Sequence, residues 1–138
     1  MAEHASLEAE VLTPEGAVFK GELVQVSTRT MVGEIGILAD HIPMIARLVP
    51  AELRLHKSDS EVDTYAQGEG WLEVFANRVR VLVAEAVAPE DLDTSELKSR
   101  LDDAQQRLDD AEEGSAAAEQ AERERARAEA FIKIAESA

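Results

Sequence analysis

Residues 71–87 read WLEVFANRVRVLVAEAV. Trp71 to Phe75 and Val79 to Val87 each alternate in side-chain character. The short segment between them contains Asn77, a residue that tolerates left-handed backbone. This pattern predicts a β-hairpin with one dry face. The same period of two recurs upstream. Leu7, Ala9 and Val11 alternate with Glu8 and Glu10, and Val24/Val26, Leu53/Leu55 and Val62/Thr64 repeat the alternation in short runs. TPEG at 13–16 supplies a turn in which proline presets φ and glycine relaxes it. Short strands separated by turn signals, with no helical pattern between them, predict a sandwich or barrel.

The pattern changes near Pro89. Every glycine except Gly114 lies before it, and the chain beyond is mainly Ala, Glu, Asp, Arg and Leu. RLDDAQQ at 100–106 is followed directly by RLDDAEE at 107–113, and Leu97, Leu101, Ala104, Leu108 and Ala111 step by four and three along one helical stripe. Asp93, Thr94 or Ser95 is placed to cap this helix. Gly114-Ser115 interrupts, and helical composition resumes over 116–135 with a thinner stripe of Ala118, Ala121, Arg125, Ala128, Ile132 and Ala135. The expected architecture is α+β: an antiparallel β-sandwich over 1–88, then an antiparallel two-helix hairpin over 89–138. An alanine seam offers far less apolar area than leucine, so the hairpin is expected to be marginally held.

Composition narrows the function. The chain has 138 residues, 29 acidic against 14 basic, a net charge of −15 and no cysteine. Phosphate backbones and anionic headgroups would repel it, and thiolate chemistry and Cys-ligated zinc are excluded. MAEHASLEAEV at the start has neither the basic start nor the apolar core of a secretory signal.

Candidate catalytic groups are few. Asp40-His41 suggests a carboxylate orienting an imidazole, but adjacent residues of an extended chain point apart and no nucleophile sits in an elbow nearby. Asp102/Asp103 and Asp109/Asp110 lack the glycine and alternating oxygens of a calcium loop, and read as a solvated helix face beside Arg100 and Arg107. Arg123, Arg125 and Arg127 are interleaved with Glu122, Glu124 and Glu129, as expected of surface ion pairs. Gly33, Gly36, Gly68 and Gly70 form no phosphate loop. Trp71 is expected in the core or at an interface, with Leu72 and Val74 on the same strand. The remaining reading is docking: MVGEIGILADHIPMI at 31–45 is an apolar, glycine-pinned stretch suited to contacting a partner. A rival is a free-standing β-domain adaptor with a coiled-coil tail.

The residues also carry a resemblance. Gly33-Glu34-Ile35-Gly36-Ile37-Leu38, with His41 and Pro43, resembles the GxxGIL…H.P segment of epsilon subunits of F-type ATP synthases. GEGWLEVFANRVRVLVAEA at 68–86 is similar to that family's GGxLEV…VxxLA segment. The resemblance spans nearly the whole chain, in order. It implies a non-catalytic central-stalk subunit at the cytoplasmic face of the bacterial plasma membrane. Such a subunit grips gamma and rests on the c-ring, so that rotation driven by protons or sodium ions turns the stalk. It places Gly33, Glu34, Ile35 and His41 toward the c-ring, and it implies that the helices extend toward the alpha/beta hexamer and inhibit ATP hydrolysis. Some members bind ATP through I/L-D-x-x-R-A and arginines of the second helix. Here Glu96 stands where the first arginine would be and Phe131 where a later one would, leaving Asp93 and Arg127 for weak nucleotide contacts. No cofactor or metal is expected.

Overall fold

The computed structural model describes residues 5–138 and divides into two compact units, 1–87 and 88–138. Residues 1–4, the start of the segment read above for a signal, lie outside the described residues.

Among the described residues the first unit has ten strands: β1 (Leu7–Thr13), β2 (Gly16–Leu23), β3 (Gln25–Thr30), β4 (Gly33–Ile37), β5 (Met44–Leu48), β6 (Ala51–His56), β7 (Val62–Gln67), β8 (Gly70–Phe75), β9 (Arg78–Val83) and β10 (Ala86–Val87). The order of paired strands is β10-β7-β6-β3-β5-β8-β9-β1-β2, with β4 on the free side of β3. The layers diverge at β3, where Gln25 to Ser27 pair with β6 and Thr30 pairs with Leu48 of β5. Pairing is antiparallel except that β1 and β9 run parallel, Glu8 opposite Arg78 through Leu12 opposite Leu82. These two strands are far apart in sequence, so no hairpin dictates their direction.

Alternation fills the interior. Leu7, Ala9 and Val11 of β1, Val26 of β3, Ile37 of β4, Leu53 and Leu55 of β6, Leu72 and Val74 of β8, and Val79, Val81 and Val83 of β9 form one buried cluster. The β8–β9 hairpin closes as its sequence predicts: Ala76 and Asn77 have φ of 50° and 60°, the two-residue turn whose twist matches the strands. Gly70 is required by packing, because a Cβ there would run into the carbonyl oxygen of Leu82 on β9.

The second unit opens with a 3₁₀ turn, Pro89–Asp91, followed by α1 (Thr94–Asp110) and α2 (Ala116–Ser137). Asp93 caps α1, and Ser115 caps α2 by accepting the Ala118 N–H at 3.1 Å. Gly114 takes φ 77°, which reverses the chain and favours the hairpin over a continuous coiled-coil tail. On α1 the buried residues are Leu97 and Ala104 of the expected stripe. On α2 they are Ala121, Ala128, Phe131 and Ile134, so the expected Ile132 and Ala135 are displaced by their neighbours. A strict seven-residue step drifts around a helix of 3.6 residues per turn, and the larger Phe131 takes the inward position.

Candidate interaction surfaces

The four residues expected to face a partner straddle β4. Gly33 begins it with φ 133°, open only to glycine. Thr30 Oγ1 donates to the Gly33 carbonyl at 3.0 Å and accepts the Val32 N–H at 3.2 Å, which holds Met31 and Val32 out in solvent; Val32 is 98% exposed. Glu34 is exposed and pairs with Arg29 across the β3–β4 ladder at 3.3 Å. Ile35 is half-buried and packs on the core. His41 lies beyond the other end of β4, so the four do not form one continuous loop. Its Nδ1 is 2.8 Å from the Ile42 carbonyl, which can only accept, so the proton sits on Nδ1. Asp40 turns away from the imidazole, and its Oδ1 meets Asn77 Nδ2 at 3.4 Å. Asp40 and His41 therefore show no acid–base pairing.

Alternation separates the three strand residues. Leu72 and Val74 are buried in the core, whereas Trp71 is 49% exposed on the outer face. Of the two places expected for Trp71, core or interface, this excludes the core: the side that buries Leu72 cannot also hold its neighbour. The Arg47 guanidinium, opposite Trp71 in register on β5, lies 5.7 Å from the ring centroid, a cation–π distance.

Exposed apolar residues extend well beyond Trp71. Ile45 on β5 and Phe75 on β8 share its outer face, and Leu38 and Ile42 flank His41. Sequence reasoning placed Leu38, Ile42 and Ile45 within the 31–45 docking stretch but did not single out Phe75, although the signal was present. In β8 both Trp71/Phe75 and Leu72/Val74 are apolar, so one apolar set must face outward. Beside them runs a charge ladder in strand register: Arg78 with Glu8 at 3.4 Å, and Arg80 with Glu10 at 3.7 Å and Glu73 at 4.0 Å. The ladder and Phe75 line a shallow groove of about 260 Å³.

In the hairpin, Asp93 Oδ1 accepts from Ser95 Oγ at 2.8 Å and from the N–H groups of Ser95 and Glu96 at 3.0 and 3.2 Å. The Ser95 hydroxyl, followed by these amides, holds the carboxyl below its ordinary range. That oxygen is committed to the cap. Glu96 is exposed, Arg127 is half-buried, and Phe131 is buried and uncharged. Arg107 pairs with Asp103 at 2.9 Å and with Glu124 of the facing helix; Arg125 pairs with Glu122, 3.0 Å from Nε, and with Glu129 at 2.6 Å. Among the described residues no cluster of His, Asp and Glu is arranged to hold a metal, and no helix is long and apolar enough to cross a membrane.

This sandwich and hairpin have known counterparts. Residues 6–89 match the family model described as ATP synthase, Delta/Epsilon chain, beta-sandwich domain. The chain is also 33% identical over 126 residues to the ATP synthase epsilon chain of Sulfurihydrogenibium, covering 91% of this chain and 94% of that one. This chain belongs to the ATP synthase epsilon family. The epsilon chain of Persephonella marina is 41% identical over 95 residues, 69% of this chain and 70% of that one. Among solved structures, a chain in a Euglena gracilis mitochondrial ATP synthase assembly superposes with a TM-score of 0.75 at 23% identity, covering 94% of this chain and 81% of that one. At that identity the likeness speaks to the fold. As an epsilon chain the protein is a subunit of an F-type ATP synthase and not an enzyme in itself.

Proposed function

We propose that this subunit is part of the central stalk. Its sandwich couples c-ring rotation to gamma, and its hairpin restrains ATP hydrolysis by reaching toward the alpha/beta hexamer. The observation that carries the reading is the distribution of exposed apolar side chains. Val32, Leu38 and Ile42 flank the two ends of β4, and Ile45, Trp71 and Phe75 lie along β5 and β8 of the same unit. Two sets of uncovered apolar groups on one ten-strand platform suit a part held between two larger neighbours.

The c-ring side is assigned to Gly33, Glu34, Ile35 and His41 with the apolar residues around them. The gamma side is assigned to the Trp71 face. The 1–88 segment folds and docks as a unit, and 89–138 is the regulatory part. Regulation by ATP through Asp93 and Arg127 would be weak, since Asp93 is occupied by its own cap and neither Glu96 nor Phe131 offers a phosphate a positive charge. The subunit sits peripherally on the cytoplasmic face of the bacterial plasma membrane, attached through the complex. The choice between protons and sodium ions belongs to the ring.

Site-specific photocrosslinking tests the assignment. A benzophenone side chain at Val32 or Ile42 is expected to capture c, and one at Trp71 to capture gamma. Capture of neither, in membranes that contain the assembled complex, would refute it.

A further inference from the structure

We propose that Asp40 and Asn77 form a clamp that fixes the 38–43 loop to the body of the sandwich, so that load applied at the loop's apolar tip reaches the sheet. The identity of the partner rests on the stalk reading above; the clamp itself does not.

The loop joins β4 to β5 and exposes Leu38 and Ile42. It lies between strands, so no ladder holds it. The His41 N–H reaches the Leu38 carbonyl at 3.2 Å and closes a local turn, which shapes the loop without attaching it. Ala39 packs on the core, and the hydrogen-bonded attachment runs through Asp40. Its N–H donates to Asn77 Oδ1 at 2.6 Å, and Asn77 Nδ2 donates back to Asp40 Oδ1 at 3.4 Å. One side-chain amide thus meets a donor and an acceptor of the same residue. Asp40 and Asn77 have φ of 66° and 60°, a region that Asp and Asn enter more readily than other non-glycine residues.

The far side of the clamp is anchored as well. The Asn77 carbonyl accepts the Glu8 N–H at 2.9 Å, and the Glu8 carboxylate pairs with Arg78 at 3.4 Å. Strand β1 therefore holds the β8–β9 turn, the turn holds Asp40, and Asp40 holds the loop. Force on Leu38 or Ile42 passes into β1 and β9 instead of bending the loop. The chemistry at position 77 is specific. Aspartate would keep the acceptor but set carboxylate against carboxylate, and glycine would keep the backbone but remove both bonds.

The test uses the full chain with Asn77→Gly, Asn77→Asp and the exchanged pair Asp40→Asn/Asn77→Asp. Hydrogen exchange at the residue-40 amide is expected to be about ten-fold faster in Asn77→Gly, which removes its acceptor, and near the parent rate in the exchanged pair, which restores both bonds. The melting temperature should hold in Asn77→Gly, because glycine suits the turn. In membranes carrying the complex, ions pumped per ATP hydrolysed should fall in the single variants and recover in the pair. Unchanged exchange in Asn77→Gly would overturn the clamp, whatever happens to coupling. Faster exchange with undiminished coupling would overturn the loop's part in transmission and leave the stalk reading to the crosslinking experiment.

Discussion

The two units stabilise themselves in opposite ways. The sandwich buries leucine, valine and isoleucine from both layers in one cluster. The hairpin seam is graded. Leu97, Phe131 and Ile134 are buried toward the end remote from the turn, whereas nearer Gly114 the buried residues are Ala104 and Ala121, and the Arg107–Glu124 pair crosses between the helices there. Each buried large aliphatic side chain contributes about 1.5–3 kcal/mol, whereas exposed ion pairs contribute little and are screened by salt. The difference separates a unit held by one continuous apolar core from a hairpin whose seam thins to alanine toward its turn.

That contrast is easiest to break in the sandwich. Leu72→Ala removes a fully buried side chain between tightly paired strands and is expected to cost about 3 kcal/mol, read from denaturant unfolding followed by Trp71 fluorescence. In the hairpin the large effect comes from adding volume. Ala121→Leu should lose about 1–3 kcal/mol by forcing the helices apart, seen as reduced helical circular dichroism while the Trp71 signal is unchanged. If Ala121→Leu stabilised the hairpin instead, the seam would be loosely filled and the contrast would weaken.

Smaller effects sharpen the electrostatic half of the comparison. Arg107→Ala should lower helicity slightly at low salt and not at all in about 1 M salt, where the Debye length is roughly 3 Å. Acid should act on the hairpin through Asp93 and Glu122. Both carboxyls have folded-state values lowered beneath the ordinary 3.8 and 4.5, the first by the Ser95 hydroxyl and the cap amides and the second by Arg125. Their stabilising effect is complete above those ordinary values and is lost as pH falls through the depressed ones. Helical signal should stay level from neutral pH to about pH 4.5 and decline below it. Asp93→Asn, which keeps a capping oxygen, should flatten part of that decline.

Much of this was legible in the residues. Period-two alternation marked β1 and the β8–β9 hairpin, Asn77 marked its turn, and the change near Pro89 together with Gly114 marked the helices. What the local pattern could not carry was register and helical phase. The parallel β1–β9 pairing joins segments that no turn connects, so nothing local encodes it. Phe131 and Ile134 are buried where a step of seven pointed to Ile132 and Ala135, because that step drifts around the helix. Trp71 was outward because its neighbour Leu72 was inward, a parity that names neither side until one residue is placed. The Asp40–Asn77 contact joins two loops 37 positions apart, each unremarkable alone.

The central claim is that the sandwich alone carries the stalk contacts and the hairpin only regulates. Affinity-tagged full chain and a 1–88 fragment, each expressed in cells that make the complex, should both bring gamma and c out of detergent-solubilised membranes. Complexes built with the fragment should hydrolyse ATP faster than those with the full chain. A folded fragment that recovers neither gamma nor c would contradict the account.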